Sequence, residues 1–165
     1  VDVGGGLGIT YTDEAPPSPE TLVRGLADLM RARGHGHREL IVEPGRSLVG
    51  NAGVLVTRVI YVKHGEAKTF VIVDSGMNDL VRPTLYDAWH DIVPVRHTAA
   101  PARVYDVVGP VCESTDLFAR DREIPGVSAG DLVAILSAGA YGAVQAGTYN
   151  SRLLVPEVLV DGDRW

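Results

Sequence analysis

Glu39-Leu40-Ile41-Val42-Glu43-Pro44-Gly45-Arg46 is the stretch on which the fold turns. Leu40, Ile41 and Val42 form a short apolar strand, and Pro44-Gly45 closes it, because proline has no backbone N–H for a continuing ladder. Upstream, Val1-Asp2-Val3 is strand-like and runs into Gly4-Gly5-Gly6-Leu7-Gly8. Between these strands, Ser18 can cap a helix preceded by Pro16 and Pro17, with Pro19 at its start. Its apolar positions Leu22, Val23, Leu26, Leu29 and Met30 recur at helical spacing, and Gly34-His35-Gly36-His37 ends it. Strand, glycine loop, helix, strand and turn form the βαβ grammar of a parallel sheet or barrel, in which loops at the strand carboxyl ends carry ligands.

Downstream of Arg46 the texture changes. Gly53 to Val62, Thr69 to Val73, Arg103 to Val108, Leu132 to Leu136 and Leu153 to Val160 are β-type runs separated by turn residues. That spacing predicts an antiparallel sandwich or Greek-key barrel. The expected division falls near Ser47, with an α/β segment at 1–47 and a β domain at 48–165. A strand at Val1 has nothing before it to pair with, and Trp165 stands where a returning strand would begin. Both suggest a chain cut from a longer one.

The 165 residues are 45% hydrophobic and 22% charged, values of a folded domain. No run approaches the roughly 20 apolar residues of a membrane helix, and no secretory signal is visible, so a cytoplasmic protein is expected. The formal charge is −6 with only two lysines, Lys63 and Lys68, which argues against a nucleic-acid surface and for a small-molecule ligand. Cys112 is the single cysteine, and the histidines at 35, 37, 64, 90 and 97 show no tetrahedral ligand spacing, so no metal is expected.

Several segments can carry chemistry. Gly4-Gly5-Gly6-Leu7-Gly8 lacks Cβ atoms, so its N–H groups can surround a phosphate; the alternative is a tight structural turn. It is no Walker loop, since no Gly-Lys-Ser/Thr follows. Glu43-Pro44-Gly45-Arg46 would lie on the same rim and offer a carboxylate, a backbone N–H and a guanidinium, or else be an exposed turn with a solvated ion pair. Arg82 and Tyr86 are four apart, on one face of a helical turn, where they can grip a carboxylate jointly or pack as a surface arginine over an aromatic ring. Cys112-Glu113 sets the only thiol beside a carboxylate in a loop opened by Gly109-Pro110; it can donate a proton to a ligand, or be the usual buried, inert cysteine. Gly139-Ala140-Tyr141-Gly142 and Tyr149-Asn150-Ser151-Arg152 add polar groups at strand ends.

Taken in order, Gly-Gly-Gly-Leu-Gly, Glu-Pro-Gly-Arg, Asp-Ser-Gly-Met-Asn-Asp with Arg-Pro-Thr-Leu-Tyr, Cys-Glu-Ser-Thr-Asp, Gly-Ala-Tyr-Gly and Tyr-Asn-Ser-Arg resemble the carboxyl-terminal half of the diaminopimelate decarboxylase family over essentially the whole chain. That family belongs to the alanine-racemase-like pyridoxal-phosphate enzymes, dimers that combine a (β/α)₈ barrel with a β domain. The resemblance implies that residues 1–47 are the remnant of a (β/α)₈ barrel and 48–165 a Greek-key-like β-barrel or sandwich domain.

It further implies that Gly5, Gly6, Gly45, Arg46 and Tyr141 bind the phosphate of pyridoxal 5'-phosphate. Glu43 would face the pyridine nitrogen. Arg46, Arg82, Tyr86, Glu113 and Tyr141 would bind the amino-acid substrate, and Cys112 would be the acid that returns a proton after CO₂ leaves, the Cys-Glu pair being supplied by the neighbouring subunit of a homodimer. The family's Schiff-base lysine and cofactor-stacking histidine lie upstream of anything in this sequence, and Lys63 and Lys68 flank a hairpin turn and take neither role. An inactive fragment of a decarboxylase making lysine from meso-diaminopimelate is therefore expected. The alternatives are a sibling decarboxylase for ornithine, arginine or carboxynorspermidine, or a non-catalytic dimerisation module.

Overall fold

The computed structural model describes residues 1–165. Helix α1 spans Pro19–Ala32, as the periodicity predicts. The Ser18 side chain accepts from the Thr21 N–H at 3.1 Å, satisfying one of the free donors of the first turn, and Glu20 complements the helix dipole. No residue of α1 is buried; Val23 and Leu29 of its apolar stripe lie open. The two segments flanking α1 run parallel and are joined by an Asp2–Ile41 bridge, with Val3 N–H to Ile41 O at 3.1 Å and Ile41 N–H to Val1 O at 2.8 Å. The pairing direction is the one expected, and the ladder is a single bridge rather than two full strands.

Short helix α2, Gly45–Val49, follows and contains Ser47. Beyond it lie β1 (Leu55–His64), β2 (Thr69–Val73), α3 (Arg82–Tyr86), β3 (Ile92–Pro94), β4 (Ala102–Val108), β5 (Leu117–Pro125) and β6 (Leu132–Ile135). They make one six-stranded sheet in the order β3-β6-β1-β2-β4-β5. All neighbours are antiparallel except β2 and β4, which run parallel from Phe70–Asp106 to Ile72–Val108. β3 also packs on β5, so the two ends of the order approach and the sheet curls toward a barrel. A two-sheet sandwich is not what forms.

Two differences from the sequence expectation have physical causes. Leu153 to Val160 is apolar and extended but joins no ladder, and Leu153 and Leu159 are each 87% exposed. β-propensity reports fitness for a pleated, half-buried surface, and this segment pairs with no strand of the chain. Conversely, Leu117–Pro125 is a strand although Arg120-Asp121-Arg122-Glu123 interrupts its apolar pattern. Asp121 takes a left-handed φ of 45° at an irregular stretch of the β4–β5 ladder, and Arg122 turns inward with its guanidinium 3.3 Å from the centre of the Trp89 ring.

The core lies on the concave face of the sheet: Val59, Val71, Val73, Leu80, Ile92, Tyr105, Val107, Phe118, Ile124, Val133 and Ile135. On β2, Val71 and Val73 are buried while Phe70 and Ile72 are only partly so, the period of two that a half-buried strand shows. At one end of the sheet two backbones meet directly. Ala138 N–H donates to Gly53 O at 2.8 Å and Gly139 N–H to Gly50 O at 3.1 Å. A Cβ on Gly53 would lie 2.5 Å from the Gly139 Cα, and one on Gly139 would collide with the Val49 carbonyl. This contact seats the Gly139–Gly142 turn on the end of α2. Gly139→Ala is expected to lower stability by about 1–3 kcal/mol, the range for overpacking a tight site, read as a lower midpoint in urea denaturation.

Candidate active site

The glycine loop and the Glu-Pro turn are adjacent lips. Glu43 N–H donates to Gly4 O at 2.8 Å, and a Cβ at Gly5 would stand 2.5 Å from the Glu43 carbonyl oxygen, so only glycine allows this approach. Gly4 and Gly6 have φ of 70° and 98°, and no atom lies within 4 Å of where their Cβ atoms, or that of Gly45, would project. The result is an open cradle of accessible backbone bounded by the exposed Glu43 carboxylate. Leu7 and Ile9 are buried, and the Ile9 Cδ1 fills the space a Gly50 side chain would take, which fastens the cradle to the β domain.

From this rim the site extends through Tyr11. Arg46 Nη1 donates to the Tyr11 hydroxyl at 2.7 Å and Arg82 Nη1 to the same oxygen at 3.1 Å. Both guanidinium carbons also lie over the Tyr11 ring, at 5.9 and 5.4 Å from its centre, and that of Arg46 lies 5.1 Å from the centre of the Tyr141 ring. Tyr141 reaches this point from a left-handed φ of 62°, a conformation an aromatic residue adopts only under constraint, here on the turn seated against Val49 and Gly50. Tyr11 is positioned by a Glu14 carboxylate that accepts the N–H groups of Thr12 and Tyr11, each at 2.8 Å. Those hydrogen bonds hold its pKa down at about 2.

Arg82 is only 7% exposed. Neither it nor Arg46 has a carboxylate within ion-pair distance; the chain's salt bridges lie elsewhere. Its other neighbour is His90, fully buried, whose Nε2 is 3.0 Å from Arg82 Nη1 and whose Nδ1 is 2.8 Å from Leu136 O. A carbonyl only accepts, so Nδ1 carries the hydrogen, and in the neutral ring Nε2 is the acceptor for Arg82. Burial, with Arg82 and Arg122 nearby, pushes the His90 pKa down despite the Leu136 bond and favours that neutral ring. Tyr86, four residues after Arg82 on α3, is exposed; the two share the helix but not the burial.

Cys112 and Glu113 lie on a separate loop. Both are exposed, so Cys112 is not a buried, inert thiol. Neither shares a hydrogen bond or ion pair with Arg46, Arg82 or Tyr141; Glu113 Oε2 accepts instead from the Tyr149 hydroxyl at 3.4 Å. The loop hangs from Asp116, whose buried carboxylate accepts the N–H of Met77 and of Val111, each at 2.6 Å. Burial pushes the Asp116 pKa up, and these donors oppose the shift. Thr84 Oγ1 donates to Thr115 O at 2.6 Å, tying the loop to α3. Arg152 grips the preceding turn through Asp74 O at 2.6 Å and Asp79 Oδ2 at 3.2 Å. Tyr11 and His90 carry no local sequence signal: each sits outside the glycine, Arg-Pro and Cys-Glu motifs and acquires its role through tertiary contacts, while Asp116 ends the Cys-Glu-Ser-Thr-Asp motif but shows its anchoring role only in the fold.

The chain therefore holds a glycine cradle, two arginines without carboxylate partners and an exposed thiol beside a carboxylate. Residues 10–139 match the family model described as the C-terminal sheet domain of pyridoxal-dependent decarboxylases. The chain is 51% identical over 164 residues to diaminopimelate decarboxylase of Vibrio cholerae, covering 99% of this chain and 39% of that protein. It is 52% identical over 165 residues to the enzyme of the same name from Pseudomonas aeruginosa, again covering 99% and 39%. The crystal structure of diaminopimelate decarboxylase from Helicobacter pylori complexed with L-lysine superposes with a TM-score of 0.83 at 44% identity, over 92% of this chain and 36% of that one. The chain thus spans about two fifths of the length of the curated relatives it matches. Together these place it in the pyridoxal-dependent decarboxylase family, as a bearer of that family's C-terminal sheet domain.

Proposed function

We propose that the chain is the carboxyl-terminal part of a cytoplasmic, homodimeric enzyme that decarboxylates meso-2,6-diaminopimelate to L-lysine and CO₂. The observation that carries this reading is the pair of guanidiniums, Arg46 and Arg82, that share one neutral hydroxyl and have no acid beside them. Arg82 is buried and Arg46 half-buried; a buried cation without a counter-ion costs several kcal/mol, so the place beside Arg82 is prepared for an anion. Diaminopimelate keeps its second carboxylate when the first is lost, and guanidinium forks suit carboxylates. A polyamine precursor would call for acids in that place. The names and identities of the relatives support the same substrate.

The division is placed near Ser47. Residues 1–47, with the uncovered stripe of α1 and the parallel Asp2–Ile41 bridge, would belong to a (β/α)₈ barrel completed by residues outside this chain, and 48–165 form the β domain. The open space above Gly4, Gly6 and Gly45 suits a phosphate, for which the N–H groups of Gly5 and Gly6 are the free donors, since Gly4 N–H donates to Asp2 and Gly45 N–H to Glu43 O; Arg46 and Tyr141 lie beside it. Pyridoxal phosphate, when bound, supplies the electron sink that lets CO₂ depart. Glu43, at the lip of the cradle, would hold a proton on the ring nitrogen. Arg82 and Arg46, with Tyr86 at the entrance, would fix the distal carboxylate, and Tyr141 would close over the bound groups. Glu113 would meet the distal ammonium and Cys112 would return a proton to the carbon that loses CO₂, both reaching in from the neighbouring subunit. Their exposure and their lack of contact with the arginines support a role across an interface.

In the full-length enzyme, Arg82→Ala is expected to raise KM for meso-diaminopimelate by roughly 30-fold or more, the cost of about 2 kcal/mol or above for losing one partner of a buried charge pair. Faster turnover of ornithine than of diaminopimelate would reassign the substrate, and unchanged turnover after Arg82→Ala and Glu113→Ala would leave only a dimerisation module. Cys112→Ala is expected to lower kcat by about 100-fold or more, the usual scale of a lost general acid, measured as CO₂ release. If the site is shared, co-expressing the Cys112→Ala and Arg82→Ala proteins should give activity at low substrate above that of either homodimer, because one site of the mixed dimer carries both natural residues.

A further inference from the structure

We propose that His90 is a positioning residue for Arg82: it holds one edge of the guanidinium through Nε2 and thereby turns the other edge toward the substrate carboxylate. This rests on the reading of Arg82 as a carboxylate binder. Arg82 Nη1 has two hydrogens, and both are engaged, one by His90 Nε2 at 3.0 Å and one by the Tyr11 hydroxyl at 3.1 Å. Nε and Nη2 take no partner in the chain, and they form the side-on fork that matches two carboxylate oxygens.

The choice of residue follows from charge. An aspartate or glutamate at this position would also accept from Nη1, but it would neutralise Arg82 and compete with the incoming carboxylate. A neutral imidazole accepts without quenching the charge. His90 is itself immobilised: Nδ1 donates to Leu136 O, its carbonyl accepts from Arg122 Nη1 at 2.7 Å, and its ring meets Tyr11 edge to face at 5.7 Å. Leu136 N–H donates to Asp91 O at 2.8 Å, which fixes the backbone on both sides.

Protonation would reverse the arrangement, because Nε2 would become a donor facing another donor. The groups around the ring are Arg82, Arg122 and the Tyr11 hydroxyl, with Asp91 next in the chain and 3.7 Å from Arg122. Burial, reinforced by the two cations, favours the neutral ring against the opposing bond to Leu136 O. Because the folded pKa is below the unfolded value of 6.5, the unfolded chain binds more protons in the interval between them. The His90 contribution to stability is therefore fully present above about pH 6.5 and is lost as pH falls toward its folded pKa.

The test uses full-length holoenzyme with His90→Leu, His90→Gln and Arg82→Ala. It measures kcat and KM for meso-diaminopimelate and the inhibition constant of pimelate, a dicarboxylate without amino groups. His90→Leu should raise KM and the pimelate constant by about 10-fold or more, the scale of a lost bond to a charged group, with kcat nearly unchanged. His90→Gln, whose amide oxygen can accept from Nη1, should recover most of the loss. Pimelate binding by the natural enzyme should weaken more steeply than that of His90→Gln as pH falls through the folded His90 pKa, which lies below 6.5. Unchanged constants in His90→Leu, or a fall in kcat alone, would overturn the proposal; should that variant fail to fold, identical pH profiles of the natural and His90→Gln enzymes would do so. Arg82→Ala separates the two readings. If it leaves KM and pimelate binding intact, the carboxylate assignment itself fails; if it weakens both while His90→Leu does not, only the positioning role fails.

Discussion

Arg82 stays charged where only 7% of its surface meets solvent, and much of the site is arranged around that constraint. Removing a guanidinium from water costs several kcal/mol unless charge or hydrogen bonds compensate. Here the compensation within the chain is neutral: a phenol oxygen, an imidazole lone pair and an aromatic face. Each of these partners is in turn held by another element. Glu14 fixes the Tyr11 backbone, Leu136 fixes the His90 tautomer, and Arg122 fixes the His90 carbonyl. The positive charge is thereby stabilised in place without being cancelled, the state in which it can still attract an anion.

The sheet supplies the rigidity this requires. α3 follows β2 and the largely buried Ser75–Leu80 turn, β3 begins two residues beyond His90, and β6 delivers Leu136 one residue past its end. Arg122 comes from β5, the far edge of the strand order, and reaches His90 only because the sheet curls until β5 and β3 meet. A flat sheet of the same six strands would separate Arg122 from His90 by its full width. Closure of the sheet and orientation of the guanidinium are one structural fact seen at two scales.

How much of this was legible in the sequence follows from the range of each interaction. α1 was read correctly because capping by Ser18 and an i, i+4 stripe are local properties. The adjacency of Gly5 and Glu43 followed from βαβ order, which constrains where strand ends lie. β5 was missed because its central charges look like a loop until Trp89 and the inward turn of Arg122 explain them. Leu153 to Val160 was misread for the opposite reason, since apolar composition says that a segment can pair but not whether a partner exists. Arg46, Arg82 and Tyr141 were singled out from motifs, yet Tyr11, which joins the two arginines, was not, because nothing near it in sequence reports a contact 35 and 71 residues away.

The Cys112-Glu113 loop shows a different balance from the arginine site. Its anchor, Asp116, is a carboxylate whose burial favours the neutral acid, yet both of its oxygens accept short backbone bonds, which favour the ion. Gly109 must be glycine here, since a Cβ would run into that carboxylate. The anchor lies at the base of the loop, and the tip carries the thiol and the acid outward. Internal bonds of the loop are thus spent on its shape, and the reactive groups are left without partners except for the long Tyr149 contact. A loop that only closed the sheet would have no reason to project an unpaired thiol and carboxylate together. The proposed delivery of a proton donor and an ammonium acceptor into a neighbouring cationic site would need a stiff base and free tips, and Asp116 supplies such a base.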